Sequence, residues 1–446
     1  MPVAELRPVL PQALEQTLPV LKSFLSPYTG IARNYVELLH APDEGGFVAL
    51  GCALAKGEPV IGIPITDHSG SSHWDRERGL AAALGEAVER YSASYLPTSK
   101  FVTATADELG EEAVDPGRFA LFHEEQYASE RFPFRRFDRG TRLRWVEGFR
   151  LPDGARAYLP VQLAYLRPPF TDEGTISYST SNGVACGGTF EEAVLAGLFE
   201  VIERDAFMIT WYNRLSLPRL AWDSDQELTE LNERYFAPTA LDYSLVDLSV
   251  FFEIPTVLGV VHGPPGQLGA LGVGAGCGAT VDLACRKALS ESFAVRRWAR
   301  DMAYAEPDRR PTTSAEIMSF DDHILYYAED ENAKKAGFLD SSVVTRDVRE
   351  VHPVEGANVK EQIEAIAGRL AGKGITAYAV DVTSPDVKSA GLGVARVIAP
   401  ELCQLDVLDT ARLLGGERLY SAAYEAGLLP GPLQLTDLNV YPHPFP

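Results

Sequence analysis

The stretch AVLAGLFEVIERDAF at residues 193–207 combines an almost wholly apolar helical pattern with two carboxylates. Glu200 and Glu203 are three residues apart, so they share one helical face at a separation of about 5 to 6 Å. A helix that is apolar nearly all round is buried in a protein core. Burying two like charges together is unfavourable unless a cation neutralises them. The stretch therefore predicts a buried acidic site that requires positive charge.

The same motif, two glutamates and an arginine in an apolar helical pattern, occurs earlier in the chain, which indicates an internal repeat. LAAALGEAVERY at 80–91 carries Glu86, Glu89 and Arg90 among small apolar residues. A weaker copy, ALSESFAVRR at 288–297, keeps Glu291 but has Ala294 at the position of the second glutamate. Three predicted helices thus offer five carboxylates.

Two interpretations of these glutamates compete. Each ExxER segment, taken alone, could form a surface ion pair between residues i and i+4, worth about 0.3 to 0.5 kcal/mol. Two copies in helices with almost no other polar face favour a dry site instead. Oxygen ligands suit Mg²⁺, which commonly bridges carboxylates to substrate phosphates. Arg90 and Arg204 would then contact those phosphates with paired hydrogen bonds, so the pattern predicts a Mg²⁺-nucleotide site without a P-loop.

Composition limits the other functional classes. A net charge of −22 over 446 residues argues against nucleic-acid or anionic-membrane surfaces, because both require basic patches. The N-terminus lacks the pattern of a signal peptide, and the sequence has no apolar run of about 20 residues, so we expect a cytoplasmic protein. The five cysteines have no CxxC spacing, which argues against a disulfide framework and a structural zinc site.

The rest of the chain predicts an α+β fold in which a hairpin, a polar glycine-rich loop and a glutamate helix recur. The predicted segments in chain order are a helix at 12–26, a hairpin at 47–65 with its turn at 56–59, a loop at 68–79, a hairpin at 142–166, a loop at 175–190, strands within 240–283, a helix at 284–300, a peripheral insertion at 304–350, a helix at 358–374 and a strand at 375–383. We interpret Arg135, Arg136 and Arg139 as part of a solvated loop rather than a nucleic-acid surface, because their flanks are acidic.

The chain ends in PHPFP, with proline at every second position: Pro442, Pro444 and Pro446. Neither a helix nor a central strand accommodates this pattern, because proline lacks the backbone N–H that both require. Such a terminus is either disordered or an extended segment docked on the protein. The rings at every second position, Tyr441, His443 and Phe445, favour docking.

Together these motifs resemble the YcaO family, and in particular its azoline-forming cyclodehydratases. The resemblance rests on four segments: 84–91, 181–207, 274–296 and the terminal PHPFP. It implies a single YcaO domain over 1–446, with mixed sheets packed by helices around a central ATP site. Its expected parts are an N-terminal helix to about residue 25, three units of similar plan over 26–300, the insertion at 304–350, and a C-terminal part over 351–446.

The resemblance also implies the site residues. Glu86, Glu89, Glu200 and Glu203 would bind Mg²⁺ and thereby ATP. The remaining residues of the implied nucleotide pocket are Arg90, Ser181, Asn182, Glu192, Arg204, Glu291 and Arg296. The chain departs from the family pattern where Ala294 replaces a glutamine and where Ser71, Ser72 and His73 stand in place of Gly-Lys-Gly.

The proline-rich terminus resembles that of azoline-forming members, in which it is thought to order the active site. In such enzymes a Cys, Ser or Thr side chain of a ribosomally made precursor peptide attacks the preceding amide carbonyl. ATP then phosphorylates the resulting oxygen, which leaves as phosphate. The resemblance assigns a catalytic role to the tail residues Pro442, His443, Pro444 and Pro446, and we hypothesise that deleting 442–446 leaves a folded dimer with little heterocyclising activity.

Partners are implied as well. No leader-binding module precedes the first glutamate helix, so we expect a separate partner protein that carries a peptide-recognition domain, together with a homodimer. Two alternatives remain open: a YcaO-type enzyme that forms macroamidines or thioamides, and a non-catalytic scaffold whose carboxylates only pair with arginines.

Overall fold

The three helices that carry the repeated glutamates each begin at a side-chain cap. A computed structural model describes residues 6–41, 44–166, 168–170 and 172–446, and its caps for these helices are Asp75, Thr189 and Thr280. Each cap side chain accepts a hydrogen bond from the backbone N–H three residues later. This satisfies a donor that a helix start otherwise leaves unpaired, so each helix start is specified locally.

The α-helices of the described residues are, in chain order, α1 Leu14–Ser23, α2 Glu58–Ile61, α3 Arg76–Ser94, α4 Ala106–Leu109, α5 Glu124–Tyr127, α6 Val161–Ala164, α7 Phe190–Tyr212, α8 Gln226–Leu231, α9 Val281–Ala305, α10 Phe320–Tyr326, α11 Asp330–Ala333, α12 Val359–Ala371, α13 Pro385–Ser389 and α14 Arg418–Glu425. The glutamate helices are α3, α7 and α9. They are the three longest of the set.

The strands are β1 Ala32–Glu37, β2 Val48–Leu54, β3 His68–His73, β4 Val102–Ala104, β5 Leu143–Arg150, β6 Arg156–Pro160, β7 Val184–Gly187, β8 Arg219–Ala221, β9 Asp242–Asp247, β10 Thr256–His262, β11 Leu271–Cys277, β12 Thr345–Asp347, β13 Tyr378–Asp381 and β14 Gly393–Ile398. They form three sheets, ordered β1-β2-β3, β4-β5-β13-β14-β7 with β6 on β5, and β11-β10-β9-β8-β12. Only β8 and β12 pair in parallel among the described strands.

Each glutamate helix packs on the sheet that contains the strand immediately before it, and also touches the next unit. Helix α3 covers β2 and β3 and reaches β7, α7 covers β7 and β14 and reaches β11, and α9 covers β10 and β11 and returns to β3. The three units therefore close into a ring. This arrangement confirms the predicted α+β fold of repeated units.

One hydrogen bond recurs in two of the units and gives the repeat a physical basis. Glu86 accepts from the backbone N–H of Gly70 at 3.0 Å, and Glu291 accepts from that of Ala275 at 2.9 Å. In both cases the donor lies sixteen residues earlier, on the strand before the helix. The first glutamate of these two units therefore also fixes its helix to its strand.

The glycines of β11 allow α9 to approach the sheet closely. A Cβ at Gly272 would lie 2.3 Å from the carbonyl oxygen of Ser292, and one at Gly276 would lie 2.2 Å from that of Ala284. No side chain fits at such distances. The glycine-rich run before the third helix is thus explained by helix–strand packing.

The structure differs from the first predicted hairpin and from both predicted polar loops. Residues 58–61 form a helical turn, and β2 pairs instead with β3, which lies within the predicted loop at 68–79. The sequence of β3, HSGSSH, contains no apolar residue, and the one buried position is Ser69, so the strand lacks the apolar alternation that would reveal it. Strand β7 similarly lies within the predicted loop at 175–190. The hairpin at 142–166 is confirmed as β5 and β6.

Residues 304–350 are not a peripheral insertion. Residues 322–328 are buried, and Tyr327 is 1% exposed. Strand β12 also completes the sheet that carries α9. The charged composition of the segment was misleading because its buried apolar residues, such as Ile317, Leu339 and Val348 outside the run at 322–328, are dispersed among charged ones.

Three other predicted segments are confirmed by the observed helices and strands. The helices at 12–26 and 358–374 correspond to α1 and α12, and the strand at 375–383 corresponds to β13. Residues 1–5 of the predicted N-terminal part lie outside the described residues. None of the helices within the described ranges has the length and apolar character needed to cross a bilayer.

The basic segment near residue 135 is neutralised by neighbouring acidic residues and carbonyls. Arg139 bonds Asp107 at 2.7 Å and Asp115 at 2.9 Å. Arg136 pairs with Glu124, and Arg135 donates to a backbone carbonyl. These contacts agree with a solvated loop.

The C-terminal tail is docked rather than disordered. Residues 442–445 are buried, and the Phe445 ring is 0% exposed, with its centroid 4.7 Å from that of Phe207 on α7. Tyr327 donates a hydrogen bond to the carbonyl of Pro442. The tail is therefore part of the core beneath α7, and we expect the 442–446 deletion to lower stability as well as activity.

We predict that Phe445→Ala lowers the free energy of unfolding by about 3 to 5 kcal/mol, because it leaves a cavity against Phe207. Val440→Ala is the matched control, since Val440 is 58% exposed and should change stability by less than about 0.5 kcal/mol. Denaturant unfolding of the full chain measures both. Equal effects of the two substitutions would contradict a docked tail.

Candidate active site

Helix α3 places Glu86 and Glu89 beside Arg90. Glu86 accepts from Arg90 at 3.1 Å and from the N–H of Gly70 at 3.0 Å. Arg90 also lies 3.8 Å from a carboxylate oxygen of Glu89. The arginine therefore neutralises both carboxylates of this helix in part.

Helix α7 holds the most buried carboxylate of the site. Glu203 is 0% exposed, and its Oε2 accepts from the backbone N–H of Cys277 at 2.8 Å and from Nζ of Lys287 at 2.9 Å. Arg204 lies 3.3 Å from the other oxygen of Glu203 and 3.8 Å from Glu200. The α7 pair is thus connected directly to β11 and α9.

The third unit completes the charge cluster. Glu291 is bonded to the N–H of Ala275 at 2.9 Å and has Lys287, Glu203 and Arg204 as charged neighbours. Ala294 packs instead in an apolar cluster. Arg296 is buried on the same helix, at 1% exposure. The predicted carboxylates of all three helices are therefore brought together, and the third helix contributes one of them.

The pKa values separate these carboxylates into two kinds. Burial, together with neighbouring carboxylates, raises the pKa of Glu89, Glu200 and Glu291 above the ordinary range. Burial acts on Glu203 in the same direction, but the charges of Lys287 and Arg204 outweigh it and lower the pKa of Glu203. The ring of helices thus contains carboxylates whose charge the protein alone does not fully neutralise.

Several buried polar atoms of this region lack a hydrogen-bond partner within the described residues. They are Asn182 Nδ2, Arg204 Nε and Nη1, Glu203 Oε1 and Arg396 Nε. Buried polar groups are almost always hydrogen-bonded in folded proteins. Arg204 Nη1 and Glu203 Oε1 face each other at 3.3 Å as an ion pair, which leaves N–H groups of Asn182, Arg204 and Arg396 available to the acceptors of a bound ligand.

This arrangement fits Mg²⁺ bound together with a nucleotide. In the described part of the chain, no three acidic, histidine or cysteine side chains converge closely enough to hold a metal ion by themselves. Mg²⁺ usually keeps several waters and takes only one or two carboxylates together with phosphate oxygens. Glu89 and Glu200, which are electrostatic neighbours on separate helices, are the residues best placed to share it.

Other predicted residues have local structural roles. Glu192 closes a capping box with Thr189 and also accepts from the N–H of Gln12 at 2.8 Å. It lies about 12 Å along α7 from Glu200, so the structure does not place it among the clustered carboxylates. The carbonyl of Ser181 accepts from the N–H of Val184 at the start of β7.

The residues that replace Gly-Lys-Gly also bond within the fold. Ser71 Oγ donates to the carbonyl of Gly79 at 2.6 Å, and Ser72 Oγ donates to that of Ser290 at 3.0 Å. His73 accepts from the N–H of Asp75 and stacks on Trp74. These hydrogen bonds connect β3 to α3 and α9.

The tail reaches the site through one contact. The guanidinium of Arg204 lies over the Phe445 ring, 4.5 Å from its centroid. His443 does not reach the site as a free base, because Nε2 donates to the carbonyl of Asp406 at 2.9 Å and Nδ1 accepts from the N–H of Phe445 at 3.3 Å. Burial also lowers the pKa of His443 well below its usual range. The catalytic role expected of the His443 side chain therefore disagrees with its hydrogen bonding.

Sequence reasoning missed two cations of the site. Lys287 bonds Glu203 and stands four residues before Glu291, a spacing that places it on the same helical face. Arg396 is 4% exposed within the apolar strand GVARVI. A charged residue in a fully apolar strand is the sequence signal that identifies Arg396.

We predict opposite stability effects for two conservative substitutions at about pH 8. At a pH above the ordinary pKa of glutamate, a carboxylate whose pKa is raised in the folded state destabilises the folded chain. A carboxylate whose pKa is lowered in the folded state stabilises it. Glu89→Gln should therefore raise the free energy of unfolding, and Glu203→Gln should lower it. Denaturant unfolding without nucleotide tests this. The assignment is wrong if both substitutions act in the same direction.

Three comparisons place this geometry among known proteins. The family model described as YcaO cyclodehydratase, ATP- and Mg²⁺-binding, matches residues 73–403. An uncharacterized protein of Methanothermobacter thermautotrophicus is 26% identical over 355 residues, which cover 78% of this chain and 84% of that protein.

Two solved structures show the same fold. A heterocyclase in complex with substrate and cofactor is 24% identical, with a TM-score of 0.83 over 100% of this chain and 59% of that chain. YcaO from Methanopyrus kandleri bound with AMPPCP and Mg²⁺ is 18% identical, with a TM-score of 0.63 over 88% of this chain and 92% of that chain. The chain thus spans less than two thirds of the heterocyclase and nearly all of the second protein.

The match to the family model extends from the end of β3, through all three glutamate helices, to the strand that carries Arg396. It covers well over half of the chain, so the chain belongs to the YcaO family.

Proposed function

We propose that this chain is an ATP- and Mg²⁺-dependent cyclodehydratase that converts Cys, Ser or Thr of a ribosomally made precursor peptide into an azoline. The observation that carries the proposal is the meeting of carboxylates from three helices with buried, unpartnered N–H donors of Asn182 and Arg204, as found within the described residues. The family model supports ATP and Mg²⁺ as the cofactors.

The chemistry follows from the poor leaving ability of an amide oxygen. After a side chain of the peptide attacks the carbonyl, transfer of a phosphoryl group to the oxygen lets that oxygen leave as phosphate. Mg²⁺, when bound, offsets charge on the phosphoryl group. The residues of this chain supply positioning and electrostatics, which account for most of the catalysis of phosphoryl transfer.

The arginines and carboxylates have separate proposed roles. Glu86, Glu89, Glu200 and Glu203 hold the metal directly or through water, and Arg90 and Arg204 hold phosphate oxygens. Asn182 is buried at 5% exposure with a free amide donor among the described residues, which suits a phosphate or ribose oxygen. The tail acts through Phe445 and Arg204, as a support for the site.

Partner proteins are part of the proposal. The chain aligns with 59% of the length of the heterocyclase that was solved with its substrate. We propose that a partner protein supplies leader-peptide recognition, and that the chain acts as one YcaO domain within a homodimer.

Glu200→Gln should lower the affinity for Mg²⁺-ATP at least about 100-fold, because it removes a carboxylate shared with the metal. The control is Glu191→Gln on the same helix, since Glu191 pairs with Arg7 at 2.8 Å outside the cluster and should leave the affinity unchanged. Isothermal titration of the full chain measures both. Unchanged affinity in Glu200→Gln would contradict the proposed metal site.

The reaction itself is tested by mixing the chain, its partner and a candidate peptide with Mg²⁺-ATP and weighing the product. We expect the peptide to lose the mass of one water for each modified Cys, Ser or Thr. With Glu200→Gln we expect the mass of the peptide to remain unchanged. Fragmentation that places the water loss at a backbone amine, or a mass gain from sulfur exchange, would assign the chain to the macroamidine- or thioamide-forming branch instead.

A further inference from the structure

A cavity of about 250 Å³ lies at the C-terminal end of α3, outside the charge cluster of the glutamate helices. Two turns enclose it, at residues 95–100 after α3 and at 381–385 after β13. Glu89 of the charge cluster lies six residues before Tyr95, about 9 Å along the helix axis. The polar side chains that the lining offers a ligand are those of Tyr95, Thr98, Ser99, Lys100, Tyr165 and Asp381. The cavity is smaller than the sites of drug-sized ligands, which occupy about 300 to 1,000 Å³, so it suits a small molecule or one side chain of a peptide.

Hydrogen bonds between side chains hold the two turns together. The hydroxyls of Ser92 on α3 and Ser384 share a hydrogen bond of 3.1 Å, and both residues are 0% exposed. Tyr91 donates to Asp386 at 3.0 Å, and Ser384 also donates to Asp386, at 2.6 Å. These bonds join the end of α3 to the segment after β13, so the cavity between them is a fixed part of the fold.

Tyr165 lines this cavity and is almost fully buried, at 3% exposure. Its hydroxyl has no hydrogen-bond partner within the described residues. Buried polar groups are almost always hydrogen-bonded in folded proteins. Burial, and after it the charge of Asp381, raises the pKa of Tyr165, so the hydroxyl stays protonated at neutral pH. Tyr165 therefore offers the cavity a hydrogen-bond donor that the protein itself leaves unused.

Two further donors of the lining are unused as well. In the part of the chain that the structure describes, neither the Tyr95 hydroxyl nor the Lys100 ammonium forms a hydrogen bond or an ion pair. Asp381 is already engaged, because it accepts from Lys388 at 2.9 Å and from the N–H of Thr383 at 3.0 Å. The lining thus carries one positive charge that no described carboxylate neutralises.

We propose that this cavity binds a carboxylate group, held by Lys100 and by the hydroxyls of Tyr95 and Tyr165. An ionised carboxylate only accepts hydrogen bonds, at about four lone-pair sites, which matches three donors that lack acceptors. One unpaired lysine also matches a single negative charge better than a phosphate group, which carries about −1.5 to −2. A cationic ligand fits less well, because Lys100 repels it and Asp381 is already paired. The site goes beyond the proposed function, since it binds its ligand without a nucleotide.

The test measures binding of two blocked tripeptides to the full chain by ligand-observed NMR. The probe is acetyl-Ala-Glu-Ala-amide, and its neutral counterpart is acetyl-Ala-Gln-Ala-amide. We expect the wild-type chain to bind the glutamate probe in preference to the glutamine one. Lys100→Gln and Tyr165→Phe should each raise the Kd of the glutamate probe at least about 10-fold, which is the effect of one lost hydrogen bond to a charged group.

The matched controls are Lys373→Gln and Tyr304→Phe, because both residues are exposed and lie outside the cavity. Both controls should keep the wild-type Kd. Equal affinity for the two tripeptides, no binding of the glutamate probe, or an unchanged Kd in Lys100→Gln and Tyr165→Phe would each overturn the proposal. Lys100 is exposed, so Lys100→Gln remains a test even if Tyr165→Phe fails to fold.

Acetate as a third probe distinguishes the two possible sources of the carboxylate. If the site takes an acidic side chain of a peptide, the glutamate tripeptide should bind at least about 10-fold more tightly than acetate, a difference of about 1.4 kcal/mol. If the site takes a free small acid, acetate should bind as tightly as the tripeptide and lose affinity to the same extent in Lys100→Gln. These titrations contain no nucleotide, so their outcome is independent of whether the chain forms azolines.

Discussion

The structure depends on one electrostatic constraint: five carboxylates from three helices share a site that the protein does not neutralise by itself. Glu203 is fully buried and stable as an anion because Lys287, Arg204 and a backbone N–H surround it. Burial works against the ionised forms of Glu89 and Glu200. Such a site is costly for an empty protein, so its persistence points to a cationic ligand. The fold is organised to keep these charges together.

The ring of three strand–helix units explains how so many charges meet. Each helix rests on its own sheet and touches the following unit, so the acidic faces turn toward a common centre. The units are not equivalent, because the third helix has Ala294 in an apolar cluster where the others have a second glutamate. The tail adds a further asymmetry, since Phe445 packs under α7 and against Arg204. The second unit therefore differs from the other two in packing against the tail on the side of Arg204.

The glutamate helices could be predicted from sequence because their information is local. Apolar periodicity, the caps and the i, i+3 spacing of Glu86 and Glu89 are all contained within single segments. The strand β3 was missed because its sequence, HSGSSH, has no apolar residue on either face. The buried residues of 322–328 were missed because they lie within a charged stretch. The roles of Lys287 and Arg396 depend on tertiary contacts with α7 and the turn before β7. Spacing along the chain does not contain such contacts, although a lone arginine in GVARVI does mark the position.

The same limit applies to Glu192 and His443, which sequence similarity alone places in the site. Hydrogen bonding engages Glu192 at the start of α7 and His443 within the docked tail. Their neighbours, rather than their residue types, decide what each can do.

The central claim is that α3 and α7 share a metal ion between their glutamates. Crystals grown with a non-hydrolysable ATP analogue and Mn²⁺ test it most directly through anomalous scattering. We expect a manganese peak at coordination distance from the carboxylates of both Glu89 and Glu200. A bound nucleotide without such a peak would contradict a shared metal ion.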